Sequence, residues 1–352
     1  MNFSNAETLS DYFAALDERL EAILPARVSL LAHIAGYTVR LAFPNMEYAR
    51  YAVPDMFVSP DNGTDAVDAT FIWWEDRIFP YQLHKFSHLK GFKHIINTEY
   101  PGYDIFKAGD ARGYIEILGS VLRAEDYQKN KYFLLSHPSE YPKWSIANHP
   151  FAKAVFLWAQ KHNLIMLHSA AVGVKGHGVL IVGHGGTGKS TLACSCLANG
   201  FEFISDDYCL LSASGTRTVY PIYTNVSLNP DSLSLLPMFK PFEILPMQGE
   251  KGAFEVSEIN IKASLPVHAI VLPQITALPE PGIERDQSSK ALGQLIYSTT
   301  KQLSRFQETK FVRELAQRLI GMPVYRFSLT EDLQKNCQYL KKWIEEELPC
   351  SN

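Results

Sequence analysis

The chain has 352 residues, 46% of them hydrophobic and 12% aromatic, enough for one large or two modest packed domains of an ordinary globular protein. A formal charge of −4 and a pI near 6.3 give no overall electrostatic footprint for nucleic acid or an anionic membrane, so neither is expected as a partner. Met1 to Leu24 lacks the basic flank and apolar stretch of a secretory signal, and no apolar run approaches a membrane span, so a cytoplasmic protein is expected. The five cysteines, Cys194, Cys196, Cys209, Cys337 and Cys350, are odd in number and form no C-x-x-C pair, which reads as reduced thiols.

In chain order, Leu9, Phe13, Leu16, Leu20 and Ile23 recur at helical spacing and predict an opening amphipathic helix. From about Val28 to Arg123 the pattern turns to short β-branched and aromatic runs, Tyr37 to Phe43, Ala69 to Trp74 and Gly113 to Ile117 among them. Trp73 and Trp74 are adjacent, so they face opposite sides of a strand and read as packing. Asn62-Gly63-Thr64 is a turn signal. Residues 1–147 are expected to form a smaller, mostly β domain, and 148–348 a second, α/β domain.

The second region opens with a helix predicted from about His149 to Lys161, capped by Asn148, with Phe151, Val155 and Trp158 on one face. Leu164 to Val174 and Val179 to Val182 read as the strands of a hairpin turning at Lys175-Gly176-His177-Gly178. Further on, Val267 to Leu272 and Val324 to Ser328 read as strands. Lys290 to Lys301, Lys310 to Ile320 with Thr309 as cap, and Glu331 to Glu347 with Thr330 as cap read as helices.

Gly183-His184-Gly185-Gly186-Thr187-Gly188-Lys189-Ser190 satisfies G-x-x-x-x-G-K-[ST], in which glycines let backbone amides curl around phosphates. A buried-strand run leads in, and Ser190-Thr191-Leu192-Ala193 opens a helix whose amino terminus favours an anion. Lys189 is expected on the β and γ phosphates of ATP and the Ser190 hydroxyl on Mg2+. Asn199-Gly200 ends that helix, and Gly200 to Ser205 forms a short strand running into Asp206-Asp207. A strand neighbouring the phosphate-loop strand would bring those acids to the γ-phosphate, one for metal and one for a hydroxyl proton. Lys251 and Arg285 are candidates for further phosphate contacts. His168 is placed on the strand expected to pair antiparallel with the phosphate-loop strand. That hairpin sets the chain apart from ordinary phosphate-loop enzymes, whose sheets are parallel and begin near their first strand.

Leu167-His168-Ser169-Ala170, Gly183 to Thr191 and Ile204-Ser205-Asp206-Asp207, in this order and close spacing, resemble the HPr kinase family and its HPr-kinase-related members. The resemblance covers Asn148 to Leu211 and implies a mixed-sheet phosphate-loop fold related to phosphoenolpyruvate carboxykinase. It also implies phosphate and magnesium binding by Lys189 and Ser190, a nucleotide cradle from Gly183 to Thr191, metal binding by Ser190 and Asp206, a general base at Asp207, and His168 near the reacting phosphate. Thr191 stands where HPr kinases carry glutamate, and their second, carboxy-terminal signature has no counterpart. The implied activity is a Mg2+-dependent kinase using ATP on a hydroxyl of a peptide, protein or small alcohol. The alternatives are a metabolite kinase of the shikimate or gluconate type and a nucleotide-dependent regulatory ATPase without an acceptor. Self-association into a homo-oligomer is left open.

Overall fold

In the computed structural model, the described residues are 11, 14, 15, 17, 18, 28–46, 48, 49, 58–63, 65–75, 92–96, 103–108, 114–118, 121–126, 129–136, 149, 151–223, 225–248, 251–256, 261–286, 290–303 and 308–348. The chain divides into two units, one closing at Ala154 and the other opening at Val155. The predicted opening-helix positions Leu9, Phe13, Leu16, Leu20 and Ile23, and the proposed cap Asn148, lie outside the described residues.

Among the described residues, the first unit has nine strands: β1 (Val28–Ile34), β2 (Tyr37–Phe43), β3 (Val58–Pro60), β4 (Ala69–Glu75), β5 (Phe92–Ile96), β6 (Tyr103–Ala108), β7 (Tyr114–Leu118), β8 (Val121–Asp126) and β9 (Lys131–Ser136). They form one sheet in the order β3-β1-β2-β4-β9-β8-β7-β6-β5. The β1–β2 hairpin closes on Ala35-Gly36, both at positive φ (52° and 86°), the geometry whose twist matches that of paired strands. Phe71 packs between Tyr132 and Phe151, while Trp73 meets Tyr48 edge to face, so the tryptophans are packing residues, both buried.

Helix α1 (Ala152–Lys161), most of it in the second unit, buries Val155, Phe156, Trp158 and Ala159. The strands of this unit are β10 (Leu164–His168), β11 (Ala170–Val174), β12 (His177–Ile181), β13 (Glu202–Ser205), β14 (Tyr208–Ser212), β15 (Thr218–Pro221), β16 (Asn225–Leu228), β17 (Glu243–Gln248), β18 (Lys251–Glu255), β19 (Leu265–Ile275), β20 (Gly282–Asp286) and β21 (Val324–Leu329). Its other helices are α2 (Lys189–Ala198), α3 (Pro230–Leu235), α4 (Lys290–Leu303), α5 (Glu308–Leu319) and α6 (Leu333–Glu346). The main sheet runs β10-β14-β15-β19-β12-β11-β13, with β21 on β19 and β20 on β21, and β16-β18-β17 make a small separate sheet. β12, β19 and β21 are mutually parallel and β11 is antiparallel to β12, which makes this a mixed α/β sheet.

The β11–β12 hairpin turns on two residues, Lys175 and Gly176, at φ 52° and 81°. The sequence pattern spread this turn to Gly178, but Gly178 is in the strand for a different reason. A Cβ there would lie 2.5 Å from the Pro266 carbonyl oxygen and 2.7 Å from Leu265 Cγ, so glycine lets β19 close on β12.

Two pairing expectations are corrected. His168 does not lie on the strand beside the phosphate-loop strand: it ends β10, opposite Tyr208 of β14. The acid-bearing β13 does not neighbour β12 either, since β11 lies between them, antiparallel to both. Two antiparallel steps return the original direction, so β13 and β12 end at the same edge of the sheet. The reason is a ladder gap. Leu164–Val174 and Glu202–Ser212 pair antiparallel at both ends, β10 with β14 and β11 with β13, and Ala171 opposite Ser205 continues the register of His168 opposite Tyr208. Between them, at Ser169-Ala170 and Asp206-Asp207, the strands part. An unbroken apolar run from Leu164 to Leu167 and from Ala170 to Val174 gives the sequence pattern no sign of it.

Two caps are corrected as well. Thr309 falls inside α5. Helix α6 is capped by Asp332, whose carboxylate accepts from Lys335 N at 3.0 Å, because Thr330 is engaged with Asn336 at 3.1 Å.

The Gly178 contact predicts that Gly178→Ala costs about 1–3 kcal/mol by forcing β12 and β19 apart. Gly293 in α4 has nothing within 4 Å of its Cβ position, and Gly293→Ala should gain about 0.5–1 kcal/mol. Urea unfolding of both variants checks the pair; equal effects of the two would remove the close-approach account.

Candidate functional site

β12 is buried from Gly178 onward and hands the chain to the glycine loop through Val182, whose N–H donates to Val271 O at 2.9 Å. The loop folds tightly. A Cβ on Gly183 would lie 2.6 Å from Thr187 Oγ1, and Gly186 and Gly188 take left-handed φ values of 82° and 88°. Thr187 Oγ1 donates to His184 O at 2.9 Å and Lys189 Nζ donates to the same oxygen at 3.0 Å. The His184 side chain is exposed. Helix α2 starts at Lys189 with no side chain capping it, so the first-turn N–H groups and the positive end of the helix dipole face outward.

The Thr191 side chain faces away from the loop. Its hydroxyl meets Ser232 Oγ of α3 at 2.6 Å, tying the first turn of α2 to α3. Further along α2, Ser195 Oγ lies 3.1 Å from Cys337 Sγ, and Cys337 lies 3.9 Å from Cys196. Cys194, Cys196, Cys209 and Cys337 are free and buried, in keeping with reduced thiols.

Asp206 is almost fully enclosed, at 1% exposure. Its Oδ2 accepts from Ser227 N of β16 at 3.1 Å, while its Oδ1 is buried with no hydrogen-bond partner. Burial first, and the negative charge of Asp207 second, push its pKa up to about 7, against the pull of the Ser227 N–H, Lys251 and the Ser190 hydroxyl. Asp207 has other partners. One of its oxygens lies 2.7 Å from His168 Nε2, and its N–H donates to Ser205 Oγ at 3.0 Å. His168 is held by its own N–H, donated to Thr299 Oγ1 of α4 at 3.1 Å, and by its ring tilted against Tyr208. Its Nδ1 is buried without a hydrogen-bond partner.

The fold thus gathers Lys189, Ser190, Asp206, Asp207 and His168 at one edge. Burial lowers the Lys189 pKa from its usual value, and the charges of Asp207 and Asp206 partly restore it while Lys251 adds to the lowering. Lys251, at the start of β18, is therefore within electrostatic reach of the site. Arg285 instead sits on β20, opposite Tyr325 of β21. The supports Ser205, Ser227 and Thr299 escaped sequence reasoning. Only Ser205, inside Ile204-Ser205-Asp206-Asp207, had a local signal, because Ser227 acts through its backbone and Thr299 comes from a helix 131 residues away from His168.

Among the described residues, no group of three or more His, Cys, Asp or Glu converges on a metal position. The donors at hand are the orphaned Asp206 Oδ1, the Ser190 hydroxyl and Asp207. Hard oxygen ligands in this small number fit magnesium, which is bound by one or two carboxylates together with water and phosphate oxygens.

Asp206 also links stability to pH. Its folded pKa near 7 lies above the unfolded value of about 3.9, so between them the native state holds the extra proton and stability falls as pH rises through that window. Asp206→Asn removes the penalty. In thermal unfolding without nucleotide or metal, the variant should melt above the wild type at pH 8, with the difference closing near pH 4–5; a constant or reversed difference would discard the raised pKa.

No family model matches the chain. The HPr kinase/phosphorylase of Mycoplasmopsis pulmonis (strain UAB CTIP) is 33% identical over 103 residues, which is 29% of this chain and 31% of that protein. The chain therefore spans about a third of the length of the curated relative it matches. The HPr(Ser) kinase/phosphatase from Coxiella burnetii aligns in structure over 51% of this chain and 93% of its own, at 11% identity and a TM-score of 0.27. Over those 103 residues the chain is similar to an HPr kinase/phosphorylase, which supports a relation to that family.

Proposed function

We propose that the chain is a kinase that moves the γ-phosphoryl group of ATP to a hydroxyl, that of a serine in a peptide or protein or of a small alcohol. The observation that supports this best is the convergence of the glycine loop with the Asp207–His168 pair, 2.7 Å apart, and the orphaned Asp206 Oδ1 at one sheet edge. The kinase named among its relatives agrees with this reading.

In this reading the loop amides from Gly183 to Gly188, with the first turn of α2 through Thr191, surround the phosphates. Lys189 exchanges the His184 carbonyl for a phosphate oxygen, an exchange that costs little because both partners are acceptors. Ser190 and Asp206 would hold Mg2+, which when bound neutralises charge on the phosphates. A cation held there would favour the ionised form of Asp206, whose raised pKa and unpartnered oxygen would then belong together. Asp207 takes the proton of the acceptor hydroxyl as the new O–P bond forms and the bond to the β-phosphate oxygen breaks, releasing ADP. His168, donating from Nε2, keeps the Asp207 carboxylate oriented towards the acceptor and stabilises its charge. His168 then acts by positioning, and Asp207 is the group in contact with the reacting proton.

Among the described residues, no helix is long and apolar enough to cross a membrane. The proposal includes no nucleic-acid partner, and the acceptor class is what the following measurement supplies. The purified protein, γ-labelled ATP and Mg2+ are incubated with cell extract separated into metabolite, peptide and protein fractions. Label should enter one fraction with the wild type and none with Lys189→Ala. Label released only as free phosphate would replace the kinase with the regulatory ATPase.

A second expected outcome concerns the acid pair. Asp207→Asn should lower transfer at least about a hundredfold while ATP affinity stays within about threefold, measured by single-turnover transfer and by titration calorimetry. His168→Gln should cost less, about tenfold. Transfer by Asp207→Asn at the wild-type rate would remove Asp207 as the base.

A further inference from the structure

β12, β19 and β21 are parallel, so their carboxyl ends, Ile181, Ile275 and Leu329, lie along one edge of the sheet. The glycine loop leaves this edge from β12, which has two flanks. On the β11 and β13 flank stand Asp206, Asp207 and His168. On the other stands the end of β19. A linear triphosphate whose terminal phosphate faces the acid flank must send its nucleoside the other way, towards β19.

That flank is apolar and open. Ile275, the last residue of β19, is 67% exposed, and Leu278 is 55% exposed. Singly exposed aliphatic side chains are ordinary. Here, however, Ile275 Cδ1 lies 3.8 Å from the position a Cβ would take on Gly188, the residue just before α2, and Leu329 Cδ1 lies 3.6 Å from it. Ile275 therefore continues directly from the glycine loop, and the exposed Leu278 follows it three residues along the chain. The segment is fixed in place: Thr276 donates to Leu329 O from N at 2.9 Å and from Oγ1 at 3.1 Å, and Lys335 Nζ holds Pro279 O at 3.2 Å and Glu280 Oε1 at 2.6 Å. Such a surface takes a flat, weakly hydrated ring without a cost of ordering the chain.

The geometry points to Ile275 and Leu278 as the ledge on which the base of a bound nucleoside triphosphate rests. This rests on the reading of Gly183–Ser190 as a triphosphate site. Carboxyl ends of parallel strands are where open α/β sheets present ligand-binding surface, and the paired strands β12 and β19 run towards such an edge. Gly188 matters twice in this arrangement: its left-handed φ turns the loop into α2, and its bare Cα leaves Ile275 and Leu329 in contact with the loop.

The test compares ATP with inorganic tripolyphosphate, which has the phosphates and lacks the base, by titration calorimetry of the full chain with Mg2+. The wild type should bind ATP more tightly than tripolyphosphate. Ile275→Asn should weaken ATP about tenfold and leave tripolyphosphate within about twofold. Ile275→Trp, placed on an exposed position, should hold ATP at least as tightly as the wild type, and the emission of the introduced indole should change with ATP but not with tripolyphosphate. Equal losses for both ligands in Ile275→Asn, or none for either, would overturn the ledge. Wild-type protein that binds tripolyphosphate as tightly as ATP would overturn the ledge and leave the phosphate loop standing. Wild-type protein that binds neither would overturn both.

Discussion

The second unit depends on a gap in one antiparallel ladder. Leu164–Val174 and Glu202–Ser212 keep one register from Leu164 opposite Ser212 to Ala171 opposite Ser205, with the pairing lapsing around Ser169-Ala170 and Asp206-Asp207, and a bulge then shifts it by one residue at Val172. Backbone groups freed in a buried sheet need partners. Here side chains supply them: Ser169 Oγ donates to Ala170 O and Ile181 O at 2.9 and 3.1 Å, Thr299 accepts from His168 N, and Ser205 Oγ accepts from Asp207 N. The two segments stand at opposite ends of the strand order, so their continuity also ties β10 to β11 and β13 to β14 and curls the sheet round. His168 and Asp207 flank the gap, one on each segment, and the 2.7 Å contact between them bridges it.

The gap explains why neighbouring acids have different surroundings. Asp206 is driven to the enclosed side, where Ser227 N donates to its carboxylate and burial favours the neutral form. Asp207 keeps partial exposure and an imidazole partner. Environments that separate two adjacent carboxyl groups are how one site comes to hold an acid for a cation and a base for a proton. The instability of an enclosed carboxylate is local, and the packing around it, β16 on one side and the apolar residues of α2 on the other, is extensive enough to hold it there.

The fold of the glycine loop was legible in the sequence because its constraints are local: Gly183 answers a close contact with Thr187, and Gly186 and Gly188 take left-handed φ values. The strands before and after it, and the acids at the end of β13, were legible through apolar runs and their abrupt ends. Strand neighbours were not. The run containing Leu164 to Val174 is apolar on both faces, so no alternation marked the break at Ser169 or told β10 from β11. Caps failed for a related reason: Thr330 and Asp332 are both competent, and the choice between them is made by Asn336, whose side chain occupies the Thr330 hydroxyl. Lys251 could be singled out as a cation, but its nearness to Lys189 and Asp206 depends on the small β16-β18-β17 sheet, which no periodicity in the sequence joins to the loop.

Placing β11 between the loop strand and the acid strand separates them by two strand spacings, about 9.6 Å, where a direct neighbour would stand at half that. The helix makes up the difference. α2 packs across β11 to β13 and β16, so its first turn lies over the interval, and Ser190 reaches the surroundings of Asp206 while Lys189 still bonds within the loop. Thr191 locks this course by its bond to Ser232 of α3, and Ser195 and Cys196 anchor the far half of the helix on Cys337 of α6. An anion at the start of α2 would therefore be held between the dipole of a helix fixed at both ends and a carboxylate pair fixed by a ladder gap. Neither side would need to move far for the other to act on it, because α2, β11 and β13, which set their separation, pack against one another.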